Sequence, residues 1–391
     1  MKVALVHDWL NGMRGGEKVL EVFCELFPDA HLYALFHEKG KMSRAIEAMD
    51  IRTSFIQKMP AVYSRYRYYL PLFPKAIESF DFSAYDLIIS SSHCVAKGAI
   101  PSPGAKHVCY CLTPMRYVWD MYEQYFGQGR GGFAGRIMPL FRKRLQEWDV
   151  GTSGRVHRFI AISDHVRDRI RRHYGREADL IYPPVDCDRF RPAKDIEEYY
   201  LIVAAFAPYK RLDIAVEAFS RNGRPLKIIG NGHESGKLRR AAAKNIEFLG
   251  WRDVEAVAHH CARCRAFIFP GEEDFGIAPL EAQAAGRPVI AYGKGGALET
   301  VTPLNPAGGA KTLSGNPTGV FFYEQTADAL NRAVELYENN SGRFDPEAAR
   351  VNAMRFDRAA FKRRFADYID AMTSKAAGVE EENACSKSTA N

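Results

Sequence analysis

The sequence predicts an α/β protein of two domains, each built on a parallel sheet. Three observations carry that expectation. Short apolar runs recur at 2–7, 86–90, 107–111 and 158–162, and again after Tyr199 at 226–230, 246–250, 265–270 and 288–292. Helical patterns separate them, as at 136–148 and from Ser163 to Tyr174, and alternation of strand with helix builds parallel sheets. The length, 391 residues, exceeds what one ordinary core supports. The expected division is 1–186, a linker at 187–198, 199–354, a helix at 355–373 and a disordered polar tail at 374–391.

Composition narrows the class. The chain is 47% hydrophobic and 26% charged, as in soluble globular proteins. No run approaches the length of a membrane-spanning helix. The start, Met-Lys-Val-Ala-Leu-Val-His-Asp, reads as a strand followed by polar residues and not as a signal peptide. Eight cysteines are scattered through the chain, which suits reduced thiols in a cytosol. The net charge of +7 lies wholly in the first half, where residues 1–185 hold 26 Lys+Arg against 19 Asp+Glu while the remainder holds 28 of each.

Taken in order, residues 2–7 form the first strand, and His7 to Lys18 leads into an amphipathic helix ending near Leu26. Gly15-Gly16 between them either makes a tight turn alone or also lets a phosphate approach the backbone. The spacing is not G-x-G-x-x-G, and neither Gly-rich loop has the following acid of a dinucleotide fold, which disfavours NAD. Pro183-Pro184-Val185-Asp186 precedes the charged linker. In the second unit Lys210-Arg211 sits in a strand-to-helix loop after Pro208. The run Phe267 to Phe269 is a buried strand ended by Pro270-Gly271. Three acids follow, Glu272, Glu273 and Asp274, then Phe275-Gly276. A helix opens near Ile277 with Pro279 in its first turn, where a missing N–H costs nothing. Free amides at this helix start, with Gly276 admitting a ligand, form an anion site. Glu273 stands just before it and Glu281 one turn inside, which suits a ligand carrying both phosphate and hydroxyls, such as a nucleotide sugar. Gly295-Gly296 opens another strand-to-helix turn, and 355–372 is amphipathic. His259-His260-Cys261 with Cys264 lacks a second ligand pair at zinc spacing, so it reads as helix and core and no metal is expected.

Two glutamates seven residues apart around Phe-Gly-Ile resemble the signature of retaining glycosyltransferase family 4, of the GT-B fold. The resemblance extends over nearly all of 1–370 and is most specific from 246 to 301. It implies two Rossmann-like domains facing a cleft, with a C-terminal helix crossing back to the first. It implies a retaining, metal-independent hexose transfer needing no cofactor. Glu273 would contact the donor sugar's hydroxyls, and Glu281 would hold the ribose. Lys210, with Arg211, would meet the donor phosphates, over which Gly15 and Gly16 would close. The amides near Phe275, Gly276 and Ile277 would share that charge. Cys109 to Asp120 resembles a segment on the acceptor side, giving Arg116 and Asp120 as cleft residues. Two departures stand out: Ala205 replaces an arginine common five residues before the lysine, and Leu112 replaces a histidine that often precedes Thr-Pro. Members with His-Asp-Trp and Glu-Asp-Phe-Gly-Ile are often GDP-mannose-dependent mannosyltransferases of surface polysaccharide assembly. A UDP-sugar donor, a GT-B-fold epimerase and a non-catalytic sugar-nucleotide binder are the alternatives. A binder would dispense with Glu273 or Lys210, and both are present. A hydrolase pair is disfavoured, because Glu273 and Glu281 share one short segment and could not flank a glycosidic bond.

Two basic windows lack any acid. Residues 51–77 hold Arg52, Lys58, Arg65, Arg67 and Lys75 among six aromatics, and 124–146 hold Arg130, Arg136, Arg142, Lys143 and Arg144. Basic residues interleaved with apolar ones fit an anionic membrane surface on the cytoplasmic side and a polyprenyl-diphosphate-linked or saccharide acceptor. Solvated basic faces and nucleic acid are the other readings of that composition, and no nucleic-acid partner is expected.

Overall fold

A computed structural model gives the fold. It describes residues 1–122, 132–305 and 316–388, the side chains of 132–137 and 375–388 excepted. Val3–His7 (β1), His31–Ala34 (β2), Asp50–Thr53 (β3), Leu87–Ser92 (β4), Lys106–Cys111 (β5), Arg158–Ala161 (β6) and Ala178–Leu180 (β7) make a sheet in the order β3-β2-β1-β4-β5-β6-β7. Tyr200–Val203 (β8), Leu226–Ile229 (β9), Ile246–Gly250 (β10), Phe267–Phe269 (β11), Val289–Tyr292 (β12) and Gly319–Phe322 (β13) make a second, in the order β10-β9-β8-β11-β12-β13. Their pairings are parallel. Central strands such as β4 and β11 are buried throughout, because helices cover both sheet faces and leave no solvated side for alternation.

The short strands β2, β3 and β13 were not expected from sequence. β3 is largely exposed, and an edge strand carries no apolar run to mark it. The helix expected at 136–148 runs Gly132–Thr152. Ser163 caps Asp164–Tyr174 by accepting from the Val166 amide, the usual role of serine there. The linker expectation needs qualification, since Cys187 and Phe190 within it are fully buried.

At the C-terminal end the helix Pro346–Met354 is followed by Arg358–Ser388, which begins within three residues of the start of the helix expected at 355–373. The second runs past Ser374, through the segment expected to be disordered. Ala376, Ala377 and Glu380 to Glu382 are strong helix formers, and that outweighs their polarity. This helix returns to the first domain. Phe365 stacks on Phe23 at 4.3 Å, and Phe361 meets Tyr110 edge-on at 5.7 Å. Backbone bonds join Val185 to Phe356 and Arg358 at 2.9 and 3.0 Å.

Candidate active site

The site grows from the end of β11. Gly271 lies so close to the preceding loop that a Cβ would sit 2.7 Å from the Tyr209 carbonyl oxygen and 2.9 Å from Lys210 Cα. Gly276 takes φ +94°, a conformation open to glycine, and starts the helix Ile277–Ala284. From the other side the Gly296 amide donates to the Glu273 carbonyl at 2.9 Å. A Cβ on Gly296 would lie 2.3 Å from Phe275 Cα. The loop 273–275 is thus held between two glycine turns. The Phe275 side chain is buried against Tyr182 and Phe356 at 5.8 and 5.6 Å, so this residue can offer a ligand only its backbone.

Charges are arranged along that loop. Glu273 forms an ion pair with Lys210, whose ammonium also stands 5.3 Å from the Tyr209 ring centre. Arg211, at φ +52°, is tied by its guanidinium to Asp213 at 3.1 Å and to the Gln325 amide oxygen at 3.0 Å. Glu281 reaches across the cleft to Lys18 of the first domain at 2.7 Å. Burial alone would depress the Lys18 ammonium, but Glu281 outweighs it and raises it. The Gly15-Gly16 turn approaches the same helix start. A Cβ on Gly15 would be 3.1 Å from Ile277 Cδ1, and one on Gly16 would be 2.8 Å from Leu112 Cδ1.

Asp274 links the two domains by two ion pairs. Its carboxylate receives Arg116 at 2.7 Å and Arg169 at 2.6 Å. Burial works to raise the Asp274 carboxyl, but Arg116, Arg169 and His165 outweigh it and lower it. Arg169 also donates to Thr113 at 2.6 Å and through Nε to Asp120 at 2.9 Å. Asp120 meets His173 at 3.1 Å. That hydrogen bond, against partial burial and with help from Arg169, holds the Asp120 carboxyl well below the usual range. Glu299 accepts from the Asp164 and His165 amides at 2.8 and 3.1 Å, a carboxylate on a helix N-terminus where the dipole favours it. Its carboxyl is nonetheless pushed up, chiefly by burial.

Between these groups opens a cavity of about 740 Å³, lined by Asp120, His165, Arg169 and Arg172 from one domain and by Tyr209, Arg211, Glu272, Glu273, Asp274 and Lys294 from the other. That size is ordinary for a small-molecule site. The structure therefore brings together Glu273, Arg211 and Asp120 around one space, with Lys210 held on the Glu273 carboxylate. It sets Arg116 on the Asp274 carboxylate, and Gly15, Gly16, Ile277 and Glu281 at an adjoining contact. Among the described residues no group of three His, Cys, Asp or Glu side chains could hold a metal ion.

Sequence reasoning assigned nothing to Lys18, Arg169, Asp274 or Glu299. Lys18 and Arg169 sit on amphipathic helices, where a charge normally reads as a solvated face. Their partners lie 263 and 105 positions away, so no local pattern reveals them.

Two doubly wound sheets with a charged cleft between them are the GT-B architecture. Residues 13–189 match the family model described as Glycosyltransferase Family 4, and residues 187–355 match that of Glycosyl transferases group 1. The two matches adjoin, so the family-4 and group-1 glycosyltransferase models together account for residues 13–355. It is 32% identical over 197 residues to a GDP-mannose-dependent alpha-(1-6)-phosphatidylinositol monomannoside mannosyltransferase of Mycobacterium tuberculosis, covering 42% of this chain and 50% of that one. It is 21% identical over 363 residues to an alpha-1,3/1,6-mannosyltransferase of Kluyveromyces lactis, covering 77% of this chain and 68% of that one. The first curated relatives are matched over 42% to 51% of their own length. Among solved structures, HepE of Anabaena in complex with UDP-glucose superposes with a TM-score of 0.69 at 15% identity, over 95% of this chain and 100% of that one.

Proposed function

We propose that this protein is a retaining, metal-independent glycosyltransferase that moves mannose from GDP-mannose to a lipid-linked or saccharide acceptor. The observation that carries the reading is the convergence on one helix start of Glu273 with Lys210, Glu281 with Lys18, and the Gly15-Gly16 turn. The relatives' names support mannose and GDP.

The chemistry follows from charge. As the bond to the diphosphate breaks, the anomeric carbon gains oxocarbenium character and negative charge grows on the leaving phosphate. Lys210 turns from Glu273 to that phosphate, and the amides from Phe275 to Ile277 meet it at the positive end of the helix. Arg211, already braced by Asp213 and Gln325, adds a fixed positive charge beside them. Glu273 then orients the sugar hydroxyls, and Glu281 takes the ribose. Arg116 and Asp120 face the acceptor from the first domain. The acceptor hydroxyl attacks on the face the diphosphate leaves, and a leaving phosphate oxygen takes its proton. A UDP-sugar donor is the second reading, supported by HepE, whose complex holds UDP-glucose.

Binding of GDP, UDP, GDP-mannose, UDP-glucose and NAD, followed by thermal shift and calorimetry, tests the donor. Stabilisation by GDP and GDP-mannose is expected. A response to UDP and UDP-glucose alone moves the reading to the second donor, and a response to NAD alone overturns both.

The working place is the inner face of a membrane. Lys58, Arg65 and Lys75 are exposed beside Tyr63, Tyr68 and Leu72, and the segment Tyr66–Leu72 packs against the helix Gly132–Thr152. That helix presents Leu140, 80% exposed, next to exposed Lys143 and Arg144. Arg130 and the side chain of Arg136, part of the same basic window, lie outside the described residues. No described helix is long and apolar enough to cross a membrane. Sedimentation with vesicles containing anionic lipid should weaken as salt rises, each basic residue contributing ~1 kcal/mol. Absent or salt-independent binding refutes the membrane contact.

A further inference from the structure

The first sheet holds a second constructed group, away from the loop at 270–277. In the order β3-β2-β1-β4-β5 the chain runs outward from β1 to β3 and then returns to β4 on the other side of β1. The β1/β4 junction is therefore where the winding reverses, and ligands of doubly wound sheets bind outside the carboxyl ends of the strands there. Two residues stand at that point. Asp8 follows the last residue of β1, and His93 follows the last residue of β4.

Asp8 is fully buried and accepts four backbone hydrogen bonds, from His93, Cys94, Val95 and Ala96 at 2.7, 3.0, 2.6 and 2.8 Å. The same carboxylate stands 2.9 Å from His93 Nδ1. The turn after β4 and the imidazole it carries are thus fixed by one charge. The Trp9 ring meets the imidazole of His93 in an edge-on arrangement at 4.5 Å. The side chain still keeps 20% of its surface open, whereas Asp8 keeps none. A row of contacts links it to the second domain. The His93 ring centre lies 6.1 Å from that of His7, and a Cβ on Gly16 would lie 3.6 Å from His7 Cε1. Gly15, the next residue in that row, faces Ile277. His7 itself is buried and faces Glu17 at 3.6 Å, so it is closed to a substrate. Leu112, after β5, turns only a methyl toward the Gly15-Gly16 turn.

A ring nitrogen backed by a carboxylate is a particular chemical tool. On the neutral imidazole the carboxylate favours the proton on Nδ1, which leaves the Nε2 lone pair to accept a hydrogen bond. That suits an O–H donor and does not suit a diphosphate, which needs donors and cations. We propose that His93 binds the acceptor hydroxyl through Nε2 as the acceptor docks, before that hydroxyl's single proton passes to the leaving phosphate oxygen, with Asp8 fixing the ring from behind. The inference rests on the glycosyl-transfer reading and adds to it a residue on the acceptor side of the reaction.

The test exploits the two nitrogens. Glutamine at 93 imitates Nε2, whereas asparagine imitates Nδ1 and keeps only the contact with Asp8. Release of GDP from GDP-mannose and of UDP from UDP-glucose is measured with water as the acceptor, for wild type, His93→Gln, His93→Asn and His93→Phe. Affinity for GDP and UDP is measured alongside. His93→Phe and His93→Asn should lose about 10- to 100-fold in rate, the effect of one lost hydrogen bond to the reacting group. His93→Gln should stay within about 5-fold of wild type, and nucleotide affinity should be unchanged in all. Rescue by asparagine instead, equal rates in the two amide variants, or a parallel loss of nucleotide affinity overturns the proposal. A second measurement needs no turnover. Diethyl pyrocarbonate should carbethoxylate His93 and spare the buried His7 and His107, as read by peptide mass spectrometry. An unmodified His93 overturns the proposal, whereas a wild type inert toward every donor but modified at His93 refutes the transferase reading and not the accessible nitrogen.

Discussion

Replacing Asp8 by asparagine removes one charge and little volume, and the structure sets the size of the effect. Burial alone would raise this carboxyl. The charge of His93, its ring hydrogen bond, His7 and the His93 amide outweigh burial and bring it from 3.8 to about 2. A depressed folded value means stability that is complete above 3.8 and is lost as pH falls through 2. The difference corresponds to about 2 kcal/mol at neutral pH, or about 30-fold in a local opening equilibrium. No discount for solvent applies, because Asp8 is fully buried. Asparagine has one acceptor oxygen and would turn its amide toward amides that donate, so this value is a lower bound. The assay is hydrogen exchange of the four amides that bond to Asp8, from His93 to Ala96. In Asp8→Asn they should exchange about 30-fold faster at pH 7. After correction for intrinsic rates, the gap to wild type should shrink to roughly half its free energy at pH 3. Exchange within about 3-fold of wild type at pH 7, or a gap that stays constant down to pH 2.5, would refute the reasoning.

Glu273→Gln should reduce sugar transfer by at least about 100-fold while GDP affinity in calorimetry stays within a factor of two, and Glu281→Ala should show the opposite balance; full transfer in Glu273→Gln removes the role assigned to it. Asp274→Asn takes a carboxylate from Arg116 and from the buried Arg169, at 4% exposure, which then keeps only its pairing with the partly exposed Asp120 among the carboxylates described above. Breaking such a pair costs about 3 kcal/mol or more, and at this chain length thermal unfolding should move down by several degrees, with no movement refuting the latch. Gly296→Ala puts a Cβ within 2.3 to 2.6 Å of three backbone atoms of Phe275. No side chain can yield there, so nucleotide affinity should fall by more than about 10-fold in calorimetry, and a variant that binds normally would show that the loop is not clamped.

The parts of this molecule that could be read in the sequence are those whose physics is local. A buried strand, a Pro-Gly stop, an acidic turn and a helix with proline in its first turn leave a contiguous trace from Phe267 to Glu281, and β11, Gly276 and the helix Ile277–Ala284 lie where that trace put them. What escaped is long-range or exposed. β3 pairs at an edge and shows no apolar run. Arg116 and Arg169 meet Asp274 across 158 and 105 residues. Asp8 stood in plain view within His-Asp-Trp, but its meaning depends on four amides some 85 positions later. The final helix was expected to fade at Ser374, because polarity there was weighed above the helix-forming tendency of alanine and glutamate.

The returning helix also has a consequence for synthesis. Phe23 and Tyr110 belong to the earliest third of the chain, and the rings that cover them, Phe361 and Phe365, are nearly the last aromatic groups to be made. On the ribosome the first domain can wind its sheet but must wait, one face open, until the second domain has been translated. A nascent chain halted anywhere between the linker and residue 360 carries an apolar surface that its own remainder was meant to close. Such chains are natural clients for chaperones and prone to aggregate when released, and residues 1–186 expressed by themselves inherit the same exposed face.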